Sequence, residues 1–144
     1  MKIAIRYFSK SGNTKKIADS IADECKIQAL SIDKPLDSKV DVLFLGCAVY
    51  AFEIDTAVKN FLLNLDAKIV TRVAIFTTSA LFKKIAFKQV TKILKKKEIQ
   101  CLEIDFYCKG EYRKMNVGKP DLEDIQRVKK FARMVKGKIK NEEV

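Results

Sequence analysis

The stretch VDVLFLGCAVY, residues 40–50, constrains the fold more than any other part of the chain. Its apolar residues run on without alternation, so both faces of the segment must be covered, and it is far too short to cross a bilayer. A strand apolar on both faces belongs in the middle of a parallel sheet with helices on either side. The rest of the chain supplies those partners. KIAIRYFS (2–9) and RVAIFTTSA (72–80) read as further apolar strands and QALSID (28–33) as a weaker one. CLEIDFYC (101–108) alternates, as an edge strand with one better-covered face would. Between them, KKIADSIADEC (15–25), DTAVKNFLLNLD (55–66), LFKKIAFKQVTKILKKKE (81–98) and DLEDIQRVKKFARMVKGKI (121–139) repeat apolar residues at helical spacing. Asp55 and Thr56 suit a helix start, and the last segment opens after Pro120 with acidic residues and closes with basic ones. The link before residue 40 holds a proline and is too short for a full crossover helix. Five strands interleaved with four helices predict a doubly wound α/β fold with a five-stranded parallel sheet.

At 144 residues and 48% hydrophobic the chain suits one domain, expected over 1–140, with 141–144 as a frayed tail. MKIAIRYFSK has an apolar run broken by Arg6 and no small-residue cleavage site, and no apolar run reaches the length of a membrane span. Four cysteines form no C-x-x-C pair and there is no histidine to complete a zinc set. A reduced, cytoplasmic, metal-free protein is the expectation.

Ligands of such sheets bind beyond the carboxyl ends of the strands, which directs attention to the loops after residues 8, 46, 77 and 107. The first reads FSKSGNT (8–14). Backbone N–H groups at a helix N-terminus make an anion site, Ser9, Ser11 and Thr14 add hydroxyl donors, and Gly12 permits close approach. The stretch matches neither the G-x-x-x-x-G-K-[ST] triphosphate loop nor the G-x-G-x-x-G dinucleotide fingerprint. A phosphomonoester held mainly by neutral donors fits it, and so does ordinary helix capping.

The second loop lies within GCAVYAFEIDTAVKNFL (46–62), a glycine followed by small apolar residues and the aromatics Tyr50 and Phe52. Together with SKSGNT this resembles the flavodoxin family, whose phosphate loop reads [TS]-x-[TS]-G-x-T; Ser9, Ser11, Gly12 and Thr14 match it at every position. The order of elements is similar to the family's short form over nearly the whole chain. The resemblance implies a three-layer flavodoxin-like sandwich with strand order 2-1-3-4-5 and one noncovalent flavin mononucleotide (FMN). It further implies that Ser9, Lys10, Ser11, Gly12, Asn13 and Thr14 wrap the phosphate. Cys47, Ala48, Val49, Tyr50 and Ala51 would lie along the isoalloxazine, with Tyr50 stacked on it. Thr77, Thr78 and Ser79 would supply the other side of the ring, followed by Leu81 and Phe82 rather than a tyrosine. Tyr112 and Arg113, in the long loop CKGEYRKMNVGKP (108–120), would cover the flavin or meet a substrate. A flavin carries its own redox chemistry, so no catalytic acid, base or nucleophile is demanded of the chain.

Charge departs from the family pattern, in which electron carriers are acidic. This chain has a net charge of +11, with Lys83, Lys84, Lys88, Lys92, Lys95, Lys96 and Lys97 in one helical segment and Arg127, Lys129, Lys130, Arg133, Lys136 and Lys138 in another. Solvated helix faces account for such runs, and so does an acidic redox partner or an anionic substrate. No motif or basic segment interleaved with aromatics points to nucleic acid. Three functions follow: an FMN-binding electron-transfer protein working between protein partners, a small FMN-dependent oxidoreductase acting on a quinone or protoporphyrinogen-like substrate, or a flavin-free phosphate-binding module. A receiver domain is excluded, because RYFS ends the first strand without the acidic cluster that phosphorylation at magnesium requires.

Overall fold

The computed structural model describes residues 1–50, 53–80 and 85–142. Expectations for Ala51, Phe52, Leu81, Phe82, Lys83, Lys84 and the last two residues fall outside it, as does that for the Tyr50 side chain. The parallel sheet is built from β1 (Ile3–Tyr7), β2 (Ala29–Ser31), β3 (Val42–Tyr50), β5 (Arg72–Ser79), β6 (Gln100–Cys101) and β7 (Phe106–Lys109); β4 (Glu53–Ile54) returns antiparallel onto the end of β3. Strand order is β2-β1-β3-β5-β6, with β7 also on β5, which is the anticipated 2-1-3-4-5 order once the short return strand is set aside. Helices α1 (Asn13–Cys25) and α4 (Leu122–Glu142) cover one face, and α2 (Thr56–Leu63) and α3 (Ile85–Lys96) the other.

The unbroken apolar run of β3 explains this layering. Its residues alternate between two cores: Val42 and Phe44 join Ile17, Ile21, Phe76, Val128 and Phe131 on the α1/α4 side, while Leu43, Leu45, Cys47 and Val49 join Val58, Leu62, Val90 and Leu94 on the other. Phe131 meets Phe44 edge to face, ring centroids 5.9 Å apart. Gly46 has a steric purpose, since a Cβ there would sit 2.3 Å from two ring carbons of its strand partner Phe76.

Two departures from the sequence reading have physical causes. The expected edge strand 101–108 is two strands. Between the Val73–Cys101 and Phe76–Phe106 pairs β5 advances three residues while this segment advances five, so the ladder opens over 102–105. Helix α4 continues through Glu142, where Arg72 Nε lies 3.1 Å from Glu142 Oε2, rather than ending at 139. The link 32–41 carries no helix, as expected, and the buried Arg6 holds it in place. Arg6 donates from Nε to the Lys34 carbonyl at 2.8 Å and from Nη2 to the Pro35 carbonyl at 3.1 Å. A groove of about 510 Å³, lined by Phe8, Ile32, Leu36 and Phe61 among others, runs between this link and α2.

Candidate functional site

Helix α1 begins at Asn13, two residues before the sequence periodicity places it, so Asn13 and Thr14 form its first turn. The residue ahead of it, Gly12, adopts a left-handed conformation with φ 92°, and no side chain caps the helix. Gly12 is exposed, and a Cβ on it would meet nothing within 4 Å among the described residues. The first rung of the helix is Lys16 N–H to the Gly12 carbonyl, 3.0 Å, and the N–H groups of Asn13, Thr14 and Lys15 precede the helical ladder. No acidic residue stands in the first turn. Of the two readings of FSKSGNT, side-chain capping of the helix is therefore not realised. Ser9 Oγ instead accepts from Gly12 N–H at 3.0 Å, which shapes the turn and leaves the hydroxyl proton able to donate elsewhere.

Neighbouring elements fix the loop. Thr14 is buried, its Oγ1 2.8 Å from Thr78 Oγ1. Asn13 donates its amide to the Glu111 carbonyl at 2.9 Å, so that side chain is committed to the 110s loop rather than turned to a ligand. Lys10 Nζ lies 3.2 Å from Asp55 Oδ2, and Asp55 also caps α2 by accepting from Ala57 N–H at 2.8 Å. That backbone bond, with Lys10 adding to it, lowers the Asp55 carboxyl below its ordinary range. Asp55 thus caps its helix as the sequence implied. Ser11 is exposed in the loop.

The residues expected along a ring are distributed less simply. Cys47 and Val49 point into the α2/α3 core, and Cys47 is fully buried, its thiol pushed up to about 12 by burial. Ala48 lies on the opposite face of β3, the face of Thr14 and Gly46. Tyr50 ends β3 at the carboxyl edge, paired with Glu53. Thr77, Thr78 and Ser79 are the buried carboxyl end of β5, inside the strand read over 72–80, and pair with Cys47 and Ala48 on one side and with Tyr107, Cys108 and Lys109 on the other. The Thr77 hydroxyl hydrogen-bonds to the Cys47 thiol and that of Thr78 to Thr14. Tyr112 is 45% exposed at the tip of a hairpin, with the Arg113 guanidinium 5.3 Å above its ring. Sequence reasoning missed the Asn13–Glu111 tie, the Thr14–Thr78 pair and the buried Arg6. For Arg6 a signal existed, a lone charge inside an apolar strand.

Among the described residues no helix is long and apolar enough to cross a membrane, and no group of three His, Cys, Asp or Glu residues could hold a metal. The fold is shared with solved flavodoxins. The chain is similar to a flavodoxin from the domain Archaea, TM-score 0.77 at 18% identity over 97% of this chain and 99% of that one. It is likewise similar to oxidised flavodoxin 2 of Bacillus cereus, TM-score 0.72 at 22% identity over 96% and 99%. An uncharacterized protein of Methanocaldococcus jannaschii is 29% identical over 149 aligned residues, covering 94% of this chain and 98% of that protein. A family model described as a flavodoxin domain matches residues 4–139, nearly the whole of the described fold, and the chain belongs to that family.

Proposed function

We propose that the protein binds FMN at the carboxyl edge of β1, β3 and β5 and works as an electron-transfer protein of the flavodoxin kind. The observation that carries this reading is the N-terminus of α1, uncapped, free of carboxylates and open to solvent at Gly12. A phosphomonoester carries close to two negative charges at neutral pH, and the positive end of a helix with backbone and hydroxyl donors is suited to it. Ser9, Ser11 and the N–H groups of Asn13 and Thr14 would hold the phosphate, with Gly12 allowing its close approach and Lys10 nearby. The Thr14 hydroxyl, buried and paired with Thr78 at 2.8 Å, would brace the loop beneath the phosphate. Ala48, Tyr50 and Ala51 would line the ring on one side, and the end of β5 from Ser79 the other. Cys47, Val49, Thr77 and Thr78 would shape that wall from within, and Tyr112 would stand at its outer margin.

When bound, the flavin supplies the redox chemistry. The chain's residues bind and orient it and shield one side from water. The test is a titration of the purified protein with FMN, followed by visible absorbance. A bound, perturbed flavin spectrum is expected; no spectral change at any FMN concentration contradicts the reading. Adding a reduced nicotinamide and a quinone to the flavin-loaded protein then separates the functions, with turnover marking the oxidoreductase and its absence the carrier.

A further inference from the structure

We propose that residues 109–117 form a docking face for an acidic protein partner; its purpose rests on the electron-carrier reading, its location does not. This segment is held at defined points. Gly110 N–H donates to the Ser79 carbonyl at 3.2 Å, Asn116 Nδ2 to the Ala80 carbonyl at 3.1 Å, and Asn13 Nδ2 to the Glu111 carbonyl at 2.9 Å. It therefore hangs between the end of β5 and the start of α1, the two sides of the candidate site. Tyr112 and Met115 exchange backbone hydrogen bonds of 3.1 and 2.9 Å, with Arg113 at φ 56° and Asn116 at φ 54° turning the tip. A tip fixed in this way loses little conformational freedom on binding.

Its chemistry is that of an interface centre. Tyr112, Met115 and Val117 are 45%, 39% and 76% exposed within six residues, where exposed apolar side chains ordinarily occur singly. Arg113 stacks on Tyr112, and aromatic residues, Met and Arg are the types enriched where partners meet. Lys109, Arg113 and Lys114 are exposed around this centre, and the one carboxylate of the segment, Glu111, accepts from Gly118 N–H at 2.8 Å. Complementarity then asks for a partner with carboxylates around an apolar spot. The lysines of α3 and α4 lack such a centre: the described part of α3 exposes no large apolar side chain, and on α4 Leu122 and Met134 stand more than three turns apart.

The probe is a zinc-substituted rubredoxin of net negative charge, titrated into the ¹⁵N-labelled protein with and without FMN and followed by amide shifts. Shifts are expected on residues 109–117 and Asn13, with binding weakened about tenfold by R113E/K114E and less than about threefold by K92E/K96E on α3. Raising salt to about 0.5 M should weaken it as well, since charges more than a few ångströms apart are then screened. Shifts centred on α3 or α4, equal weakening by the two double variants, or no shifts at all would overturn the proposal. The amide spectra of the variants report their folding directly. Absorbance on adding FMN tests the flavin reading separately: rubredoxin contact without flavin binding leaves docking intact, and flavin binding without contact removes docking alone.

Discussion

Removing the hydroxyl of Thr14 or of Thr78 should cost more than removing both. The two oxygens are 2.8 Å apart, and the residues are 1% and 2% exposed, so neither can turn to water when its partner is lost. Thr14→Val or Thr78→Val alone strands one buried hydroxyl, a penalty of about 1–3 kcal/mol. The double substitution strands none and should cost no more than about 1 kcal/mol. Urea denaturation of the flavin-free wild type, both single variants and the double variant gives the coupling, expected at about 1 kcal/mol or more in favour of the pair. Flavin affinity should move less: Thr14 would meet the phosphate through its backbone N–H, which Thr14→Val keeps, so both single variants should weaken FMN less than about threefold. Single variants each within about 0.5 kcal/mol of wild type, or a double variant equal to their sum, would refute the reasoning.

Gly46→Ala should destabilise by about 1–3 kcal/mol or more, because its Cβ would sit 2.3 Å from the fully buried Phe76 ring; a melting temperature within about 1 °C of wild type would contradict this. The Asp121 carboxyl is lowered to about 2 by its 2.7 Å bond from Lys119 and by the Asp124 N–H. Being depressed below an unfolded value of about 3.9, it stabilises the fold above that pH, and the contribution is lost as pH falls from about 4 through about 2. Asp121→Asn should flatten the acid limb of the stability profile over that range, and an unchanged profile would count against the assignment. Burial pushes the Cys47 and Cys108 thiols up to about 12, so a thiol reagent at neutral pH should label Cys25 and Cys101 first, and rapid modification of all four in the folded protein would contradict the burial.

What the sequence made legible follows from which signals are local. The unbroken apolar run of β3 dictates a covered parallel sheet, and the helical spacing of Ile17, Ala18 and Ile21 or of Val128, Phe131 and Val135 identifies the faces of α1 and α4 that meet it. Alternation at Leu102, Ile104, Phe106 and Cys108 marks a common face correctly, yet it carries no information on whether the ladder to β5 is continuous. The site divides along the same line. Ser9, Gly12 and the start of α1 are neighbours in sequence, and their turn could be anticipated from residue types alone. Thr78 reaches Thr14 across 64 residues and Glu111 meets Asn13 across 98, contacts that only the assembled sheet creates. Thr77 and Thr78 read as loop donors because hydroxyl residues end an apolar run; in the fold those hydroxyls satisfy Cys47 and Thr14 within the wall.

A phosphate site at the α1 N-terminus is tested by comparing FMN with riboflavin, which differ in that group alone. Fluorescence titration of the purified protein with each, at one pH and low salt, gives the two affinities. Two charge-assisted hydrogen bonds amount to about 3 kcal/mol or more, so FMN should bind at least about a hundredfold more tightly than riboflavin. Affinities equal within about threefold would contradict the account, whatever the ring contacts prove to be.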